Sequence, residues 1–412
     1  MRDLATSMAA VLVAQGCNLG FAPIVKPGHP ALTRDRLSHV AQNYVRVETL
    51  AAANARLIAA QSRIDVARLW GGGLLASVDG LRFVVPVRTL DAGPNPHYFG
   101  RGRGVTWLNA INDQVAGIGG VVVTGTMRDS LHVLDVILGR DGGPAPEMIA
   151  TDTASYSDIV FGLFRLLGYQ FSPRLADLPD QRLWRLTLPG APRADYGPMM
   201  NAVARHHLSF EKIRTQWPDM LRVAGSLHTG TVACYDLLPM LGRDGNPSPL
   251  GAAFAEYGRA AKTLHLLAMC DPDDETYRRT VHVQLTVQES RHRLARKIFH
   301  GSRGEIRKRY REGQEDQLAA LGLVLNAAVL WNRYIDAALK ALREQGYPVA
   351  DEDAARLSPL IDSHLNVHGR YTFAEPTGDA LRPLRDLTEP LEEYLPEGTT
   401  SAVPFGSAGG HG

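Results

Sequence analysis

Two aspartates stand where carboxylates can do chemistry. Asp79 closes an apolar stretch in Ala76-Ser-Val-Asp-Gly-Leu-Arg-Phe83, and Asp152 closes another in Met148-Ile-Ala-Thr-Asp-Thr-Ala-Ser-Tyr-Ser-Asp158. Each is expected at a strand end, where the backbone holds a side chain firmly enough for divalent-metal chemistry, with oxygen ligands at about 2.0–2.1 Å from Mg²⁺. Phosphoryl transfer with two metals needs carboxylates from separate parts of a chain, because the ions lie about 3.5–4 Å apart and face one phosphate. Three carboxylates and one phosphodiester carry the negative charge that two divalent cations neutralise, which accounts for the residue type. The plainer roles are a turn for Asp79, which precedes Gly80, and helix capping around Asp152, where Thr151, Thr153, Ser155 and Asp158 compete for the same task.

A third carboxylate has three candidates, Glu289, Glu305 and Glu315, in or beside a basic helical stretch, and sequence period alone does not choose among them. Glu289 could instead pair with Arg293, and Glu305 with Arg309, as surface ion pairs four residues apart. Between Arg291 and Arg311 nine Lys and Arg residues face a single acid, Glu305. Such a run suits phosphate contacts or, as charge runs commonly do, a solvated helix face. Asn95-Pro-His-Tyr-Phe-Gly-Arg-Gly-Arg-Gly104 reads as a turn-rich hairpin tip. There Arg101 and Arg103 could approach a phosphate while Tyr98 or Phe99 stacks on a base. The alternative is an ordinary hairpin with solvated arginines.

The elements that must position these groups follow from patterning. The 412 residues exceed one small core, and 45% hydrophobic with 21% charged residues fits a globular chain. Residues 1–73 read as helices, with Leu50, Ala53, Leu57, Ala60, Ile64 and Leu69 at spacings of three to five and Gly71-Gly72-Gly73 as the stop. In 74–194, β-branched runs predict strands at Leu81–Leu90, Gly104–Ile111, Gly120–Gly125, Glu147–Thr151 and Tyr169–Arg174, with a helix from Ser157 or Asp158 to Gly168. That order describes a mixed α/β sheet. Residues 195–288 read as a helical insertion including Leu250–Met269 and Asp274–Gln288, and 289–372 as core-completing helices including Glu315–Glu344. Residues 373–412, acidic and rich in Gly and Pro, read as a loosely ordered tail.

The net charge of +1, from 44 basic and 43 acidic residues, neither favours nor excludes nucleic acid. Cys17, Cys234 and Cys270 are too few and too scattered for a disulfide framework or a Cys-x-x-Cys zinc site, which suits a reducing cytosol. Met8–Ala14 imitates the apolar core of a signal peptide, but Arg2 beside Asp3 gives its flank no net positive charge. No uninterrupted apolar stretch approaches the roughly 20 residues of a membrane helix, so no membrane partner is expected. Phosphate loops, His-Glu-x-x-His helices and Gly-x-Ser-x-Gly elbows are absent from the sequence. His206-His207 and His282 lack ligand spacing, and Trp184, Trp217 and Trp331 read as core. A glycosidase would need two carboxylates about 5–9.5 Å apart, and the arginine-rich context favours phosphate over sugar.

Several long segments resemble the catalytic half of the Tn-three family of replicative (class II) transposases. They are Ser77–Phe83, Ala92–Trp107, Gly125–Ser130, Thr151–Asp158 and Leu167–Asp177. The likeness continues through Asp195–Gly197, Leu221–Ser226, Asp274–Arg279, Phe299–Gly301, Arg309–Leu318, Asp351–Asp353 and Gly369–Tyr371. The resemblance implies a ribonuclease-H-like α/β fold with a mainly helical insertion before the last catalytic acid, flanked by N- and C-terminal helices. It implies a DDE triad on Asp79, Asp152 and Glu289, the last selected by Gln288-Glu-Ser-Arg-His292, where Gln288 and Ser290 replace two glycines of the family pattern. It further implies two Mg²⁺ ions, replaceable by Mn²⁺, held by those three acids. The partners would be transposon ends and target DNA, and the active complex a homo-oligomer. Arg101, Arg103, Arg291, Arg293, Arg303, Arg307 and Lys308 are the expected DNA contacts. Full-length members carry a long end-recognition region ahead of the part matched here, so a truncated or separately encoded catalytic piece is expected. The rival expectation is an inactive remnant that only binds DNA or a partner.

Overall fold

The computed structural model describes residues 3–373, apart from 88, 90–91, 125–131, 154–155, 177, 193, 244–245, 308–313, 364 and 370. The segment 125–130, Lys308 and nearly all of the acidic tail lie outside the described residues.

The chain opens with α1 (Leu4–Gly16), α2 (Arg34–Tyr44), α3 (Val47–Gln61) and α4 (Asp65–Trp70). Thr33 caps α2 by accepting the Arg36 N–H, and α4 stops at the glycine triplet, where Gly73 turns into the sheet with φ 81°. The apolar stripe of α1 (Ala10, Val11, Ala14) meets Leu37, Val40 and Leu50 from α2 and α3. Burial of these side chains is worth roughly 1.5–3 kcal/mol for each large aliphatic one.

The sheet contains β1 (Leu75–Val84), β2 (Gly93–Pro94), β3 (Arg103–Asn112), β4 (Gly117–Thr124), β5 (Met148–Thr151) and β6 (Gln170–Pro173). A short helix α5 (Pro96–Phe99), capped by Asn95, lies between β2 and β3. Helices α6 (Val133–Leu138) and α7 (Asp158–Leu166) flank β5. The strands run β4-β3-β1-β5-β6, with β2 beside the first residues of β3. The β4-β3-β1 pairs are antiparallel and the β1-β5-β6 pairs parallel. This is the mixed sheet that the patterning implies. Ser157 caps α7, and Gly168, at φ 89°, reverses the chain into β6.

The first strand departs from expectation. It starts at Leu75 rather than Leu81, so Asp79 lies inside β1 and not at its end. Alternation puts Ala76 and Val78 on one face and Ser77, Asp79, Leu81 and Phe83 on the other. Ser77 and Asp79 interrupt the apolar reading because they face a polar seam instead of a hydrophobic layer.

Beyond the sheet come α8 (Gly197–Val203), α9 (Phe210–His228), α10 (Cys234–Leu237) and α11 (Pro249–Met269). They are followed by α12 (Thr276–Ile298), α13 (Gln314–Leu330), α14 (Arg333–Glu344) and α15 (Asp351–Ala354). Two small two-stranded pairings lie in or beside the insertion, Trp184–Arg185 with His206–His207 and Gly242–Arg243 with Asn246–Pro247. α11 and α7 cross closely: a Cβ on Gly258 would collide with the Asp158 carbonyl, and one on Gly162 with that of Phe254. One sheet face is covered by α6, α7 and α11 through Val78, Leu108, Ile149, Phe161, Phe164 and Phe254. The other is covered by α12 and α13, with Leu81, Phe83 and Trp107 against Leu294, Ile298, Leu318 and Leu321.

α12 runs unbroken across 288–289 and ends ten residues later than the helix read from sequence. The helix expected over Glu315–Glu344 is interrupted at Trp331 and Asn332. Among the described residues Gln314–Glu344 is the one helical stretch long and apolar enough to cross a membrane. Leu318, Leu321 and Leu325 of α13 are fully buried in the core. Trp217 and Trp331 are not core residues as expected, being 37% and 49% exposed. Trp217 meets the Tyr257 ring edge-on and Trp331 lies tilted against Tyr334.

Candidate functional site

The parallel ladder between β1 and β5 ends on the pair Val78 and Thr151. Asp79 follows Val78 within β1, and Asp152 follows Thr151 directly after β5. Adjacent strands lie about 4.8 Å apart, so two aspartates separated by 73 positions in sequence become neighbours at the end of one ladder. Alternation sets Asp79 with Ser77 on the face toward α12, and Ala150, beside Ser77 in the ladder, meets Val281 and Leu285 there. The Asp152 side is exposed, whereas the Asp79 side chain is 27% exposed.

α12 is fixed over this face by polar side chains spaced four residues apart. Gln284 Nε2 donates to Ser77 Oγ at 3.1 Å and to the Ile111 carbonyl at 3.2 Å. Gln288 accepts from Ser77 Oγ at 2.8 Å and donates to Asn109 Oδ1 at 3.1 Å. His292 then reaches Asp79, with Nδ1 3.4 Å from Oδ2, while its Nε2 lies 2.9 Å from Asn109 Nδ2. One tautomer satisfies both contacts, Nδ1–H donating to the carboxylate and Nε2 accepting from the amide. The other carboxylate oxygen, Oδ1, accepts the Gly80 N–H at 2.7 Å. Burial, the largest influence on Asp79, pushes its pKa up. The His292 hydrogen bond, the charge its ring carries when protonated, the Gly80 N–H and the Arg82 charge together outweigh it and hold the carboxyl below its ordinary value.

Glu289 is exposed on α12, one residue after Gln288 and three before His292. A 3.6-residue period puts it on the flank shared with Leu285, the side that packs on Ala150 of β5. Gln288 is 1% exposed and part of the seam. Among the described residues no three His, Cys, Asp or Glu side chains stand close enough together to hold one metal ion. The register thus gathers Asp79 and Asp152, and Glu289 lies on the covering helix without closing a three-group cluster. The donors, all carboxylate oxygens, are of the type that hard divalent cations take.

The basic residues divide sharply. Arg101 and Arg103 are exposed at the start of β3, and Arg293 and Arg303 are exposed beyond the seam. Arg307 is exposed and pairs with Glu305 at 2.8 Å. Arg291 corrects the expectation of a DNA contact, because it is 2% exposed. Its guanidinium donates to the Val115 carbonyl at 3.2 Å and to Asn326 Oδ1 at 2.6 Å, and burial pushes its pKa down to about 9. It faces inward because Gly117 leaves room: a Cβ there would stand 2.6 Å from Arg291 Nη2. The tip around Tyr98 is a helical turn, with the Arg82 guanidinium 3.7 Å above the Tyr98 ring.

Sequence reasoning passed over His292, Asn109 and Gln288 as participants. The available signal was Gln284, Gln288 and His292 at i, i+4 and i+8 on the face of α12 that also carries buried Val281, Leu285 and Ala295.

The domain is thus a mixed α/β sheet with one carboxylate inside β1, a second directly after its parallel neighbour β5, and a third on the covering helix α12. The chain belongs to the Tn3 transposase DDE domain family, whose model matches residues 1–371. It is 57% identical over 390 residues to the transposase for transposon Tn4556 of Streptomyces fradiae, covering 94% of this chain and 43% of that protein. It is 52% identical over 395 residues to the transposase for transposon gamma-delta of Escherichia coli strain K12, covering 96% of this chain and 39% of that one. A more distant relative, the transposase for transposon Tn1546 of Enterococcus faecium, is 32% identical over 380 residues, or 92% of this chain and 37% of its own length. The chain therefore spans about two fifths of the length of these relatives.

Proposed function

We propose that this chain is the catalytic region of a replicative DNA transposase. It hydrolyses a phosphodiester at the transposon's 3′ end and then joins the freed 3′-hydroxyl to target DNA at the same site. The observation that carries the reading is the placement of Asp79 and Asp152 directly after the paired residues Val78 and Thr151, in a chain of the DDE family. A ribonuclease-H-like core is supported by the strand order, three antiparallel strands followed by two parallel ones, with helices before the segment carrying the last acid.

Asp79, Asp152 and Glu289 are the residues that would hold two Mg²⁺ ions, with Mn²⁺ as substitute. When bound, such ions supply Lewis-acid stabilisation of the attacking and leaving oxygens of an in-line displacement. The protein's own part is positional. Gly80 N–H and His292 fix the Asp79 carboxylate, and α12 presents Glu289 beside the β5 end of the sheet. Arg101, Arg103, Arg293, Arg303 and Arg307 take phosphate contacts, which set DNA position rather than sequence. Lys308, outside the described residues, belongs to the same reading. DNA is the partner, a second copy joins in the active complex, and the cytoplasm is the site of action. The cysteines, all free, suit a reducing compartment.

The test is nicking or strand transfer by the purified chain on plasmid DNA. Cleavage that requires Mg²⁺ or Mn²⁺ and falls to background in Asp79→Ala and Asp152→Ala is expected. Cleavage without metal, or unchanged in both variants, would overturn the reading.

A further inference from the structure

The contact between α12 and the first acid does more than join a helix to a sheet. His292 is 8% exposed and bridges two groups: the Asp79 carboxylate through Nδ1 and the Asn109 amide through Nε2. Asn109 sits opposite Asp79 in the antiparallel β1–β3 register, and its Nδ2 also donates to the Asp79 carbonyl at 3.3 Å. Gln288, one turn earlier on α12, holds the same asparagine and Ser77. Glu289 is bracketed by these two anchors. A helix pinned through positions 288 and 292 has its rotation and height over β1 fixed, and with them the direction in which residue 289 projects.

We infer that His292 is a positioning residue, which orients the Asp79 carboxylate through its Nδ1–H and, with Gln288, sets the placement of Glu289 relative to the two aspartates. The inference rests on the metal-site reading above. A group hydrogen-bonded to a metal-ligating side chain typically changes metal affinity by about 10–100-fold when removed. Packing alone does not account for the arrangement, since a leucine would fill much of the same volume but leave Asp79 and Asn109 without their shared partner.

Two conservative variants separate the functions of the ring. His292→Asn keeps a nitrogen near the Nδ1 position, facing Asp79, and gives up the contact with Asn109. His292→Gln can set its amide oxygen near the Nε2 position, where it accepts from Asn109, and gives up the contact with Asp79. Binding of Mn²⁺ alone to the purified chain, followed by electron paramagnetic resonance and calorimetry, is the readout, with thermal unfolding recorded in parallel. His292→Asn should bind Mn²⁺ within about threefold of wild type, and His292→Gln should lose about tenfold or more in affinity. That loss should appear whichever variant unfolds at the lower temperature. Equal affinity in both variants, or affinity that follows unfolding temperature alone, would overturn the positioning role. Asp79→Ala distinguishes the two levels of the argument. If it leaves Mn²⁺ binding unchanged, the metal-site reading fails and the inference falls with it; if it abolishes binding while His292→Gln does not weaken it, the inference alone fails.

Discussion

Arg291 illustrates what a residue's surroundings do to its meaning. By composition it opens a run of cations, yet the described chain buries it against the Val115 carbonyl and Asn326, whose amide also reaches Asn54 at 2.6 Å. Arg291→Ala should lower stability by about 3 kcal/mol, because it leaves buried acceptors unpaired and opens a cavity where the guanidinium lay. Chemical denaturation measures this directly, and a loss under about 0.5 kcal/mol, the size of an ordinary surface change, would refute it. Asp79 and Asp152 were legible from sequence as acids following apolar runs. His292 was not, since one histidine in a basic run carries no mark of the carboxylate it meets 213 positions earlier. Arg291 was misread for the same reason: a charge run reveals neither which member turns inward nor that Gly117 makes room for it.

At the scale of elements, α12 and the helices of the insertion are tied to the sheet by buried polar groups as well as by apolar packing. His265 of α11 lies between the Tyr277 hydroxyl of α12, 2.7 Å from Nδ1, and the Pro173 carbonyl of β6, 3.0 Å from Nε2. Burial pushes its pKa down to about 4, the Pro173 contact raises it and the Lys262 charge lowers it further. The folded state therefore holds His265 neutral where an unfolded chain, with a histidine pKa of about 6.5, already binds a proton. The stability it contributes is present above about pH 6.5 and is lost as pH falls toward about 4, by linkage. Replacing it by Gln should flatten the pH dependence in that window, which urea unfolding at pH 7 and pH 5 measures; an unchanged slope would contradict the assignment. The strands and the main helices were largely readable from periodicity. The start of β1 and the length of α12 were not, because their facing polar residues, Ser77 and Asp79 against Gln284, Gln288 and His292, break the apolar pattern that marks a buried element.

Across the whole molecule, the order of elements carries the functional argument. Strands built from near neighbours in sequence, β1, β3 and β4, form an antiparallel sheet, and the later strand β5, parallel to β1, brings Asp152 beside Asp79. A long helical insertion then separates the strands from α12 in sequence, and α12 and α13 together cover one face of the sheet. Motifs spread along the chain showed the family in the sequence, and the mixed sheet was legible from its β-branched runs. The covering of the sheet was not, since which helix lies over which face is a long-range property that no local window contains. The central claim is that Asp79, Asp152 and Glu289 act on one pair of divalent ions. A crystal of the protein grown with Mn²⁺ and measured for anomalous scattering tests it most directly. The account predicts two peaks about 3.5–4 Å apart, bounded by the carboxylates of Asp79, Asp152 and Glu289. Manganese bound elsewhere, or peaks at the two aspartates with Glu289 out of reach of both, would contradict it.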